Sequence, residues 1–278
     1  MYIFLATLLA TLVGAVSGAY ATHRVSEKAS AKKNLLRQLN ITDSLISYVF
    51  AEINSNLSLK GQYILPTYNQ YKIDQAKYAI YKNQIPNGKK PDIRLNFGQF
   101  EFGGSNVSTI ASLSKEIHRL SPRCIVAIIS LSKSDNSIEE ILRQRKKFIE
   151  DNFRDKEHKT KIAKLELYLG CYRDEQSMST EFANLTEALY QSVNDSLYFS
   201  AALSEELFNH RKYISRILLE NFSYINNNDF KISFDAVKEL FPDDKNYTSW
   251  EKGFQYAESN NSANHDSWWM KSSQRNRR

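Results

Sequence analysis

The first twenty-one residues, MYIFLATLLATLVGAVSGAYA, carry no charged side chain. A helix of that length is roughly 30 Å long, which matches the hydrocarbon thickness of a bilayer. The sequence therefore predicts a transmembrane anchor over residues 1–22. His23, Arg24, Lys28, Lys32, Lys33 and Arg37 follow it, with Glu27 the only acid among them. Basic residues so close to a span hold its flank on the cytoplasmic side. The expectation is a single-pass protein of a bacterial inner membrane, N-terminus out and C-terminal domain cytoplasmic, with the lipid bilayer as a partner. A cleaved signal peptide is the competing reading, because Ala19-Tyr20-Ala21 has the small-x-small form of a cleavage site. That reading lacks a basic n-region.

Gly14 and Gly18 lie four residues apart, with Ser17 beside them. Small residues on one face let two spanning helices approach closely. Gly14, Ser17 and Gly18 are thus candidate residues for association into a homo-oligomer, although such spacing also arises by chance.

Beyond the anchor, the chain divides into a membrane-proximal helix over 23–60 and a mostly helical domain over 61–258. The bundle core falls at about 107–223, and a polar tail covers 259–278. The fold class expected is mainly all-α, a transmembrane helix followed by a helical bundle with one or two short extended segments. In the first helix Leu35, Leu39, Ile46, Val49, Phe50, Ile53 and Leu57 form a stripe near the 3.6-residue period. Its breadth favours packing on the domain's own core over a strict coiled-coil seam. Gly61 and Pro66 should break or bend this element, and a short helix follows over 68–82.

Residues 83–92 read as a loop. Ile93, Leu95 and Phe97 alternate with polar neighbours, as an extended segment would. A helix is expected over 107–119. Ser121-Pro122 then restarts the chain with proline near a first helical turn. The run Cys124 to Leu131 is too short to span a bilayer and reads as a core segment, helical before extended. Ser137 and Glu140 form a capping box that predicts a fresh helix start. Further helices are expected over 158–172, 180–198 and 201–223. Phe230, Ile232 and Phe234 alternate briefly before a short helix from Asp235 to Leu240.

No catalytic, cofactor or metal motif emerges. The five histidines lack ligand spacing, no CxxC or HExxH occurs, and no serine sits in a nucleophile motif. Gly103-Gly104-Ser105 lacks the remainder of a phosphate loop. Cys124 and Cys171 adjoin apolar residues and read as free buried thiols. Glu206 and His210 share one helical side, where a surface ion pair is the commoner arrangement than a proton-transfer pair or half a metal site.

Nine basic residues fall between Arg143 and Lys164, Arg145 among them. Lys146, Lys147, Lys159 and Lys161 are the candidate anion-binding residues, for phosphates of nucleic acid or lipid headgroups. Interspersed acids favour a solvated bundle face instead, and nucleic acid is not the favoured partner. Trp268 and Trp269 interrupt the polar tail and could engage a protein partner, as could the helical domain itself. The functional expectation is a membrane-anchored, self-associating, non-enzymatic effector, regulatory or assembly component. Membrane assembly factors, sensors and bacterial antiviral-defence effectors share that architecture, an analogy of layout alone.

Overall fold

The computed structural model describes residues 2–83, 92–98, 103–154, 160–173, 178–225 and 234–261, with the side chains of 2–10, 235 and 255–261 excepted. The order of elements is α1 (Tyr2–Leu59), α2 (Leu65–Asn83), α3 (Val107–Ser114), α4 (Pro122–Ile149), α5 (Lys161–Leu169), β1 (Tyr172–Arg173), β2 (Met178–Ser179), α6 (Glu181–Phe222) and α7 (Thr248–Asn261). A π-helical turn, Lys60–Ile64, joins α1 to α2, and another, Glu150–Arg154, follows α4. Two 3-10 turns, Asp235–Leu240 and Asp244–Tyr247, lead into α7.

The architecture is an all-α bundle built on α6. Its forty-two residues contain neither Gly nor Pro, so nothing interrupts the i to i−4 ladder. The two helices expected over 180–198 and 201–223 are therefore one. Leu189, Val193, Leu197, Leu203 and Leu207 of α6 face Leu45, Ile46, Val49 and Ile53 of α1 and Ala127, Leu131 and Ile138 of α4 in the main core. The apolar stripe of α1 is buried by this packing. A second core gathers Tyr71, Tyr78, Phe148, Tyr168 and Phe182 from α2, α4, α5 and α6.

Helix α4 begins where Ser121-Pro122 predicts. The Ser121 hydroxyl accepts from the Cys124 N–H, and proline takes a first-turn position that needs no donor. The run 124–131 lies within its first three turns. The capping box of Ser137 and Glu140 lies inside the helix and starts nothing, because the polar stretch before it holds no breaker. Ser132 and Ser134 donate back to the Ile128 and Ser130 carbonyls, and Glu140 binds Arg143 and Gln144.

Helix α5 is shorter than the expected 158–172. Thr160 caps it by accepting from the Ala163 N–H, and Gly170 closes it with φ of 72°. A Cβ at Gly170 would lie 2.5 Å from that of Ala183, so only glycine fits both the backbone and the space. α3 likewise ends at Ser114, and turns replace the rest of the helix expected to 119.

The extended segments fall elsewhere than expected. The paired strands are β1 and β2, antiparallel with Tyr172 opposite Ser179. Residues 92–98 adopt no regular structure, yet Ile93, Leu95 and Phe97 pack on the second core. Gly98, at φ of 51°, lets this segment run against Thr67. Gly61 and Pro66 do not end the helical path, since Gly61 falls in the π-turn and Pro66 in the first turn of α2. Of 230–234, only Phe234 lies within the described residues, where it stacks on Phe50 at 5.5 Å.

The transmembrane anchor expected over 1–22 is corrected. Among the described residues no helix is long and apolar enough to cross a membrane. Met1, and the side chains of residues 2–10, lie outside those described. The apolar stretch whose side chains are described runs only over 11–22, twelve residues against the roughly 20 that a spanning helix requires. Single-pass topology, inner-membrane placement with the N-terminus out, and the bilayer as partner fall with it.

The core packing makes one measurable statement. Ile53 is fully buried between α1 and α6, whereas Ile129 on α4 is 49% exposed. Ile53→Ala should lower the unfolding free energy by about 3 kcal/mol. Ile129→Ala should change it by less than about 0.5 kcal/mol. Urea midpoints at unchanged m-values would check both.

Candidate functional site

The sequence-predicted site residues do not converge. Gly14, Ser17 and Gly18 lie on an exposed length of α1, and a Cβ built on either glycine meets nothing within 4 Å. Among the described residues of this chain the three pack against no second helix. Lys146 and Lys147 are exposed in the last turn of α4, where their charge complements the helix dipole. Lys161 is exposed at the start of α5. Lys159, Trp268 and Trp269 lie outside the described residues. Arg143 and Arg154 of the same basic run pair with Glu140 and Glu150. Arg145 leaves it altogether and turns into the core, 4% exposed.

Glu206 and His210 do not form a pair. Glu206 accepts from the Ser121 hydroxyl and from Arg123 Nη1, while His210 is half-buried with Nε2 unpartnered. Burial pushes the His210 imidazole below its usual range, away from the charged form. Among the described residues no group of three or more His, Cys, Asp and Glu side chains could hold a metal ion. Cys124 and Cys171 are free thiols, and burial pushes Cys124 up to about 12, far from a reactive thiolate.

The arrangement that does converge surrounds Arg123 at the first turn of α4. Its Nη2 donates to Glu251 Oε1 at 2.9 Å and lies 3.6 Å from Glu205 Oε2, and its Nη1 donates to Glu206 Oε1 at 3.2 Å. The guanidinium sits 5.6 Å from the centre of the Trp250 ring. Burial pulls its pKa down, and the three glutamates more than offset that, holding it above the ordinary value. Tyr198 donates to Glu251 Oε1 and stacks on Tyr247 at 3.7 Å, and Tyr247 donates to Asp195. These contacts fasten α7 and the turn before it onto α4 and α6.

A cleft of about 540 Å³, open mouth included, results between these elements. Arg123, Tyr198, Glu205, Phe241, Asp244 and Glu251 are among its lining residues. One guanidinium thus stands against four carboxylates, those of Glu205, Glu206, Asp244 and Glu251. Arg123 and Glu251 carry no local signal in the sequence, because Glu251 lies 128 residues from its partner. Of the cleft's carboxylates only Glu205 and Glu206 are adjacent in the sequence.

Behind the cleft runs a buried polar seam that is structural. The Lys60 ammonium donates to Asn194 Oδ1 and to the Leu240 carbonyl, pinning the segment that forms one cleft wall. Burial lowers Lys60 to about 8. Asn56 Nδ2 donates to Glu52 Oε1 and Ser196 Oγ, and Glu52 Oε2 accepts from the Asn106 N–H at the start of α3.

Comparison of the chain with protein-family models, with curated proteins and with solved structures gives no match.

Asp135 of α4 belongs to this seam and opposes it. Burial pushes its carboxyl up to about 6, Glu52 and Glu139 add to the rise, and the Ser105 hydroxyl pulls the other way. A folded-state pKa above the unfolded one favours folding at low pH, and that contribution is lost as pH rises from about 4 through about 6. Asp135→Asn keeps the shape without the charge. It should raise stability at pH 7.5 by on the order of 2 kcal/mol and change it little at pH 4. Equal effects at the two pH values in thermal melts would show that the charge is not the cause.

Proposed function

We propose that the protein acts by binding, and that the cleft between α4, α6 and α7 takes a cationic side chain, a guanidinium or ammonium group, from a protein partner. The observation that carries this reading is the excess of carboxylates over Arg123 at a site with aromatic walls. Arg123 hydrogen-bonds Glu206 and Glu251, whereas Glu205, an ion-pair partner at 3.6 Å, is 63% exposed and Asp244 is exposed. An entering cation would gain charge-assisted hydrogen bonds from these two. Phe241 and the edge of Tyr198, both in the lining, would offer the flanking aromatic surface that suits such groups. This replaces the reading of a membrane-anchored, self-associating effector, whose anchor and association face the structure does not supply.

Titration with arginine amide tests the proposal, with citrulline amide as the uncharged isostere and tryptophan fluorescence as the readout. Arginine amide should bind, weaken as salt rises, and lose several-fold in affinity to Glu205→Gln, with citrulline amide giving no signal. Equal binding of the two amides, or an unchanged affinity in the variant, would sink it.

A further inference from the structure

Arg145 is the second arginine of α4 that the basic run does not explain. Its Nη1 donates to Thr186 Oγ1 at 2.6 Å and its Nη2 to the Phe97 carbonyl at 2.9 Å. The guanidinium carbon lies 4.6 Å from the centre of the Phe182 ring. All of these partners are neutral, and among the described residues no carboxylate forms an ion pair with it. The other inward-facing arginines are treated differently: Arg123 meets three glutamates, and Arg211 donates to Asp43 Oδ1 at 2.6 Å. A buried charge without a counter-charge is costly even when its hydrogen bonds are made. Burial lowers Arg145 to about 10, which leaves it charged at neutral pH.

A recess between α2, α4 and α6 opens beside it. Its lining is Ile64, Thr67, Tyr68, Arg145, Thr186 and Leu189, with no acid among them. The Thr67 hydroxyl has no hydrogen-bond partner among the described residues. The Thr186 hydroxyl is committed, since it donates to the Phe182 carbonyl. Ile64 and Leu189 are apolar walls. Glu187 lies outside the lining, held by the Tyr68 hydroxyl and by Lys72 Nζ at 2.8 Å each. The space between the side chains admits about one water-sized occupant. That size excludes phosphate and any organic acid as fully enclosed guests.

We propose that this recess binds a monatomic anion of chloride size, with the Arg145 guanidinium as counter-charge and the Thr67 hydroxyl as second donor. The ion completes the ion pair that the chain itself leaves open. It also ties the start of α2 to α4 and α6. The site rests on different residues from the Arg123 cleft and stands or falls separately.

Thermal melts at constant ionic strength test it, with sodium chloride replacing sodium gluconate, whose anion is too large for the recess. The melting temperature of the intact chain should rise with chloride and then saturate, as binding to the native state alone requires. Thr67→Val removes one donor at a half-buried position and should move the half-saturation concentration up about tenfold. Arg145→Met should abolish the dependence, and if it fails to fold, Thr67→Val decides alone. A melting temperature indifferent to chloride would overturn the proposal. So would a Thr67→Val curve that superimposes on the parent's, which would leave the recess holding water only.

Discussion

The packing of α6 against α1 and α4 is the constraint on which everything else depends. The helix supplies Leu189, Val193, Leu197, Leu203 and Leu207 to the main core and Phe182 and Leu185 to the second. Both cores therefore share one rigid axis. The cleft residues Tyr198 and Glu205 and the Arg145 partner Thr186 all project from that axis. Their relative placement follows from helix geometry and needs no loop to be held in position.

Apolar packing alone would tolerate small slips of α1 along α6. The polar seam removes that freedom. Asn56 must meet Ser196, and Lys60 must meet both Asn194 and the Leu240 carbonyl. A shift of one residue turns a side chain by about 100° around the helix and leaves these groups buried without partners. Such a network contributes little net stability and much to register. Two of its atoms stay unpaired, since Asn56 Oδ1 and Asp135 Oδ1 find no partner among the described residues. Lys60 also explains how the 3-10 segment, with few backbone hydrogen bonds of its own, comes to form a cleft wall.

The all-α class was legible from periodicity, as were the burial of the α1 stripe and the start of α4. Each rests on interactions within a few residues: a 3.6-residue repeat, a serine cap, a proline in the first turn. The number of helices was not legible. Helix breaks are expected near Asp135 and Ser200, yet neither stretch contains a residue that disfavours helix strongly enough to end one. The expectation of a span rests on the composition of the N-terminus alone, and among the described residues no helix is long and apolar enough to supply one. The Arg123 cleft was beyond reach for a different reason. Its partners come from three helices, and Glu206 and Glu251 stand 83 and 128 residues away from it. Arg145 shows the same limit in reverse. Its neighbours Arg143, Lys146 and Lys147 are all exposed, so the run reads as one basic face, but the helical turn places Arg145 with Ile138, Phe148 and Ile149 on the buried side.

Those two arginines lie twenty-two residues apart on one helix, about 33 Å by its rise. Their surroundings are opposite in sense. Arg123 has more carboxylate than it can neutralise, in a cleft that is open to solvent. Arg145 has none among the described residues, and it is itself buried beside a recess with room for about one water-sized occupant. Net charge conceals this, because the overall +6 averages over a surface to which neither site contributes much. An excess of charge at an exposed site costs little, since water and salt screen it, and it persists as attraction for a passing ion of opposite sign. A deficit at a buried site is not screened, and the fold is under strain there until something supplies the missing charge. The exposed carboxylates are thus suited to exchangeable recognition and the buried guanidinium to a resident ion. The difference is set by burial, and burial is set by where α6 lies.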